Sequence, residues 1–436
     1  MLRVRFSAEI VALLFGIVRA LYITDLSALN ADLRAANQAP PYAVKQVRLY
    51  AMAQDQSIGQ AECISGLRDK TTVELSQDAD ALGKFTSFAQ KKSTLFKARN
   101  QLLPASPNQV AAIQFPPEFI TVPVSNENFL LHVSDDNSLI VFATDANIRK
   151  LSELKEWAVD GKFSKCPPLF SQLWTVHAFA ESKLLPLVYC LLPDKSQQTY
   201  AQVSHAIKDR AREIGVLLQP EVVHTDFETG VIPVLEAEFQ GTRIRGCHFH
   251  YCQAIYRNVQ RLGLTRYFQT DPDGQRYVRY LMAVPFLPVH RVRQWYKDWR
   301  NDLPLYHRAI LEPLLTYYEG FWLDQMPLEF WNMHSVARRT NNNLEGWHSG
   351  LDKKIGNDYT HFYKYIRHLL LEQQMLSVVI QQINAGQVVA QVNKTYRLLN
   401  QQIMEAQDRY RAGRINDSQL IHLLYMLLAK PLNISL

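Results

Sequence analysis

RIRGCHFHYCQAIYRNVQRLGL, residues 243–264, gathers Cys247, His248, His250 and Cys252 into six consecutive positions. The residues ahead of this group are apolar and β-like. Those behind it, from Ala254, carry apolar side chains at helical spacing. The stretch therefore reads as a strand, IRGCHF, that steps into a helix, AIYRNVQRL. Cys247 and His250 form a Cys-x₂-His pair, and a thiolate with an imidazole supplies half of a tetrahedral zinc site. His348 and His334 are the candidates for the remaining ligands. The alternative for the same residues is a buried cysteine and a histidine that caps the helix.

Working outward towards the N-terminus, the texture is that of a sheet. FLLHVS and LIVFAT read as strands joined by the turn SDDNS, and ANIRKLSELKEW reads as a short helix. WAVDGKFS, LFSQLWTVHAF and LLPLVYCLLP follow as three strand-like runs. TYAQVSHAIKDRAREIG is an amphipathic helix, PEVVHTDFE a strand and GVIPVLEAEF a helix. Strands in series that then alternate with helices predict a mixed sheet covered by helices. Residues 265–340 are rich in Trp and Tyr and read as helical, and 358–431 as two or more long helices.

The chain has 436 residues, 47% hydrophobic and 20% charged, which suffices for a large buried core in more than one domain. Five scattered cysteines, an odd number, argue against a disulfide framework and for a reducing compartment. The net charge of +6 is compatible with a polyanionic partner without requiring one. MLRVRFSAEIVALLFGIVRALY, residues 1–22, imitates a secretory leader, but Glu9 and Arg19 interrupt it, so a buried helix is the expectation. It is too short to span a bilayer. KKSTLFKARNQ, residues 91–101, is the most basic piece and reads as a solvated helix face.

Three acids are candidates for chemistry. Asp160 closes the strand EWAVD and is followed by Gly161; Asp226 closes EVVHTD. In open sheets the ligand crevice lies at such strand ends. Glu345 lies in RRTNNNLEGWHSGL. Taken singly, each has an ordinary structural reading as a cap, a turn residue or a helix-start carboxylate. Taken together, oxygen ligands on separate elements can hold Mg²⁺ or Mn²⁺, and without a cation they repel one another. Arg338, Arg339, Lys353 and Lys354 flank Glu345 and are candidates for phosphate contacts, or else a solvated basic face.

EWAVDGKFSKCPPLFSQLWTVHAF, HTDFETGVIPVLEAEF, IRGCHFHYCQAIYRNVQRLGL and RTNNNLEGWHSGL, in this order, resemble the MULE transposase domain of Mutator-like DNA transposases over roughly residues 128–365. The resemblance implies an α/β, RNase-H-like mixed sheet with flanking helices. It also implies a helical insertion before the third catalytic acid, and helical N- and C-terminal regions. The implied division is an N-terminal region 1–120, a core 128–262 with 341–365, an insertion 263–340 and a tail 366–436. Residue by residue, the family's Asp-Asp-Glu triad falls on Asp160, Asp226 and Glu345. Its Cys-x₂-His signature falls on Cys247 and His250, and its histidine after the glutamate on His348. Many members carry a Cys/His finger ahead of this domain; here Cys63 is the one cysteine before residue 166, so no such finger is expected in this sequence.

The activity implied is metal-dependent cleavage and transfer of DNA strands, with Mg²⁺ or Mn²⁺ as cofactor; zinc on Cys247, His250 and His348 stays open as a second metal on the residue reading alone. The partners implied are double-stranded DNA and further copies of the chain in a dimer or larger synaptic complex. A nuclear location follows, with no membrane. The other function class is a domesticated or decayed transposase that binds DNA or protein without turnover. A third is an RNase-H-like nuclease without strand transfer.

Overall fold

Along β3 (Glu156–Lys162) the side chains alternate. Trp157 and Val159 join one core, whereas Ala158 packs on the opposite face with Leu344. The same alternation turns Asp160 and Lys162 to the Ala158 face. A slip of one residue would drive Asp160 into the Trp157 core, so burial of Trp157 fixes the register.

The computed structural model describes residues 103–428 apart from 124, 182, 337, 340, 341 and 388–393. The expected helical character of residues 1–102, the basic run 91–101 and Cys63 lie outside the described residues. Residues 107–436 make one compact unit. Its sheet has seven strands in the order β1-β2-β5-β4-β3-β6-β7. They are β1 (Leu130–Val133), β2 (Ile140–Phe142), β3, β4 (Gln172–Ala180), β5 (Lys183–Leu192), β6 (Val222–Thr225) and β7 (Arg243–Gly246). β3 pairs antiparallel with β4 and parallel with β6, and β7 runs parallel to β6. The sheet is therefore mixed, as the sequence predicts. β4 is buried at every position and β5 at all but its first, as befits strands covered on both faces.

Two helices complete the Trp157 core: α1 (Asp145–Glu153) with Ile148 and Leu151, and α2 (Gln197–Glu213) with Tyr200, Val203 and Ile207. Both start where the sequence offers a cap. The Thr144 and Ser196 hydroxyls accept from Asn147 N and Thr199 N, each at 3.2 Å. A short α3 (Ile232–Glu238) adds Val234 and Leu235.

After β7 the chain builds a second, all-helical core. It comprises α4 (His248–Arg261), α5 (Thr265–Thr270), α6 (Pro272–Ala283), α7 (Val289–Asp302) and α8 (Leu305–Tyr317), the last continued by a π-helical segment Tyr318–Gln325. Tyr251, Trp322 and Trp331 lie at its centre. The Tyr251 ring stacks on Trp331 at 5.4 Å, and its hydroxyl meets that of Tyr318 at 2.8 Å. α9 (Asn342–Ile355) then returns to the sheet and packs on β3 and β5.

Two differences from the sequence reading stand out. The strand expected over IRGCHF ends at Gly246, and the helix begins at His248 rather than at Ala254, with Cys247 as its N-cap residue. Cys247 N makes the last bond of the β6–β7 ladder, to the Thr225 carbonyl at 3.0 Å, and His248 N then turns to the Arg339 carbonyl at 2.9 Å, outside the sheet. The second difference is one of detail in packing: the long C-terminal helices that the sequence leads one to expect lie against both cores. α10 (Phe362–Asn384) joins the sheet side, where Gln373 and the buried Asn147 exchange side-chain hydrogen bonds at 2.7 and 2.9 Å. α11 (Lys394–Arg411) and α12 (Asp417–Leu428) contribute Ile403, Leu420, Ile421 and Leu424 to the helical core.

At the start of α10, His368 Nε2 and Lys364 Nζ lie 3.2 and 3.3 Å from the Asp358 carboxylate. These bonds, His368 first, hold Asp358 down at about 2. A carboxylate held below its unfolded value adds stability above about pH 4 and loses it as pH falls towards 2. Asp358→Asn is therefore expected to cost about 1 kcal/mol at pH 7, allowing for its part exposure, and almost nothing near pH 2. Urea unfolding at both pH values measures the difference.

Candidate active site

β3 and β6 run parallel with Ala158 opposite His224. Two residues further on, the same register brings Asp160 beside Asp226, which follows the last residue of β6. Asp160 is 8% exposed and its Oδ1 accepts from the Gly161 N–H at 2.9 Å. Asp226 opens a turn, and its Oδ1 accepts from Glu228 N at 3.1 Å. Glu228 in turn accepts from the Tyr200 hydroxyl at 3.1 Å and lies 3.7 Å from Lys195 Nζ.

The third acid arrives on α9. Glu345 Oε1 stands 3.6 Å from Nε2 of His250, in the first turn of α4. One turn along α9, His348 Nδ1 stands 3.6 Å from Asp160 Oδ2. Each imidazole thus faces a carboxylate, and α4 and α9 bring both pairs to the C-terminal ends of β3 and β6. His250 Nδ1 and His348 Nε2 are buried and have no hydrogen-bond partner among the described residues.

Burial dominates the electrostatics. Burial and then the charge of Asp226 drive the Asp160 carboxyl well above its ordinary range; Glu345 and Glu228 add to this, and the Gly161 N–H opposes it. Burial lifts Glu345 to about 7. Glu228 is raised by burial and by Asp226, against the pull of Lys195. The histidines move the opposite way. Burial lowers His348 to about 3, with Lys162 and His250 adding repulsion. His250 is lowered by burial and Arg257 against the pull of Asp226. At neutral pH both rings are therefore uncharged and offer the acids no cationic partner.

The structure brings Asp160, Asp226, Glu345, His250 and His348 into one electrostatic neighbourhood. Cys247 is buried at the N-cap of α4, and His334 bonds the Phe286 carbonyl through Nδ1 at 2.9 Å. Among the described residues no three His, Cys, Asp or Glu side chains form a ready-made metal cage. Of the four basic candidates, three are tied within the chain. Arg338 bonds Glu156 at 3.0 Å and lies 3.6 Å over the Phe179 ring. Arg339 is buried, bonds Asn400 and is pushed down to about 10 by burial. Lys354 bonds Glu372, whereas Lys353 is exposed.

Sequence reasoning missed Glu228, two residues after Asp226, and the buried Lys162, two residues after Asp160. For Lys162 the period-2 spacing along β3 was the available signal; Glu228 lies in the turn after β6, where that spacing does not apply.

Residues 157–254 match the family model of the MULE transposase domain. The match runs from β3 into α4. It holds Asp160, Asp226, Cys247 and His250, and it ends before Glu345. Over this segment the resemblance read from the sequence is borne out. No curated protein matches the chain.

Gly246 ends β7 beside the Asp226 turn because a Cβ there would lie 2.5 Å from the Phe227 ring. That ring is wedged against Trp322 and Phe330, with centroids at 4.8 and 5.3 Å, and has little room to yield. Gly246→Ala is expected to cost about 1–3 kcal/mol of stability through overpacking. A lower denaturant midpoint at unchanged slope checks it.

Proposed function

We propose that this chain is the catalytic portion of a DDE-type DNA transposase of the Mutator-like class, built on an RNase-H-like core. The core reading is supported by the arrangement of β5, β4, β3, β6 and β7: an antiparallel meander of three strands, then two parallel strands joined through helices. The function rests on one observation. Asp160, Asp226 and Glu345 come from three separate elements, and the charges of Asp226 and Glu345 both act on the buried Asp160 carboxyl.

The donor set suits a hard divalent cation. It is rich in carboxylate oxygen, and among the described residues no Lys or Arg forms an ion pair with Asp160, Asp226 or Glu345. On this reading Asp160, Asp226 and Glu345 would hold Mg²⁺ or Mn²⁺. Such cations, when bound, supply charge stabilisation during in-line displacement at phosphorus. The chain's own residues do the rest. β3 and the Gly161 N–H orient Asp160, and the turn bond from Glu228 N orients Asp226. The uncharged rings of His348 and His250 steady Asp160 and Glu345 without neutralising them. Zinc on Cys247, His250 and His348 is a subsidiary proposal: stoichiometric zinc in the purified chain supports it, and a folded, zinc-free chain excludes it.

The substrate on this reading is double-stranded DNA, engaged in the nucleus by a dimer or larger synaptic assembly. Among the described residues no helix is long and apolar enough to cross a membrane. The exposed Lys353 is the basic candidate still available for a phosphate. Lys353→Ala is expected to weaken DNA binding evenly across sequences and to reduce the log–log salt slope by about 1.

The deciding experiment is nicking of supercoiled DNA by the purified chain with Mg²⁺ or Mn²⁺. Asp226→Asn is expected to lower the rate by at least about 10²–10³-fold, the scale of losing one preorganised electrostatic group, with DNA binding retained. Joined products on a substrate with terminal inverted repeats mark strand transfer; cleavage alone marks a nuclease. A folded, metal-replete chain that never nicks is a non-catalytic descendant that binds DNA or protein.

A further inference from the structure

Strand alternation turns Asp160 and Lys162 of β3 towards α9. On α9, Glu345, His348 and Asp352 share one face, at steps of three and four residues. The two faces meet in two rungs. One is the His348–Asp160 contact at 3.6 Å; the other is an ion pair of 2.6 Å between Lys162 Nζ and Asp352 Oδ2. The Lys162 side chain is only 8% exposed and that of Asp352 25%. Lys162 Nζ also donates to Ser164 Oγ at 3.0 Å, and Lys165 Nζ donates to the Asp352 carbonyl at 2.9 Å. Both lysines of the segment that leaves β3 thus close on one residue of α9.

The rungs differ in kind. The first joins a carboxylate to an uncharged ring beyond ordinary hydrogen-bond length, and it adjoins the mutually repelling acids. The second rung joins opposite charges in a part-buried place, where attraction is less screened than at the surface, and pulls the two elements together. Glu345 lies two helical turns from Asp352, about 10 Å along a stiff axis, so the grip at one end sets the position of the other.

We infer that the Lys162–Asp352 ion pair is the positioning device of the acidic centre, fixing the separation of Glu345 from Asp160. This inference rests on the proposed metal-dependent function, but its mechanical half is independent of metal.

The test uses the full chain and two measurements. One is amide hydrogen exchange over residues 342–355 without metal, and the other is Mn²⁺ affinity from the paramagnetic signal of the free ion. The variants are Asp352→Asn, Lys162→Met and the swapped pair Lys162→Glu with Asp352→Lys. The expected result is faster α9 exchange and Mn²⁺ binding weakened about 10–100-fold in both single variants, the usual cost of losing an outer-shell support, with both properties recovered in the swapped pair. Wild-type exchange and affinity in the single variants overturn the inference, as does a folded swapped pair no better than either single variant. If the wild-type chain binds no Mn²⁺, the function proposal fails. The exchange arm still decides whether the ion pair holds α9.

Discussion

A carboxylate buried with no fixed cation of its own is the constraint around which this molecule is arranged. Asp160 sits inside the sheet, 8% exposed, with acids on three sides. Removing such a charge from water costs several kcal/mol unless something compensates it. The backbone N–H of Gly161 compensates in part, and the two nearby imidazoles are uncharged. Lys162, the nearest cation by sequence, is held by Asp352 instead. A protein that only needed stability would replace this cluster with apolar side chains. Its presence in the middle of a well-packed sheet is the feature on which the proposed cation-dependent chemistry rests.

Much of the sheet was legible in the sequence because its strands are near-continuous apolar runs with clear punctuation. The reading of β3, β4, β5 and α2 needed no tertiary knowledge. The strand-to-helix step at Cys247 was misjudged for a definite reason. His248 and Phe249 are neutral between strand and helix, and what takes the chain out of the sheet is the bond from His248 N to the distant Arg339 carbonyl. Asp160 and Asp226 could be suspected from their places at strand ends and Glu345 from its Asn-rich helix start, and the family resemblance joined the three into a triad. Their pairing with His250 and His348 depends on how α4 and α9 approach the sheet. The Lys162–Asp352 contact spans 190 positions and leaves no local trace. The basic flank illustrates the reverse error. Arg338 and Arg339 look like surface charge in a run, yet aromatic rings and internal acceptors draw them inward.

The two cores are not independent bodies joined by a linker. Phe227, one residue after Asp226, packs against the margins of both, and so does Met326. The loop that carries the second acid is thereby anchored in the helical core, while the acid itself faces the sheet. Movement of the helical region relative to the sheet would be felt first at Asp226.

The docking of α12 against α6 and α7 bears on the order in which the molecule can be made. Asp417 accepts a two-pronged bond from Arg291, at 2.9 and 2.6 Å, and Trp295 Nε1 reaches Ser418 at 3.2 Å. Leu420, Ile421 and Leu424 fill the centre of the same core. A ribosome releases the sheet strands, both aspartates and Glu345 well before these residues emerge. Until they do, the helical core has an open side, and the buried Arg339 lacks its Asn400 partner on α11. The acidic centre therefore acquires its full support only after α11 and α12 have followed it out of the ribosome.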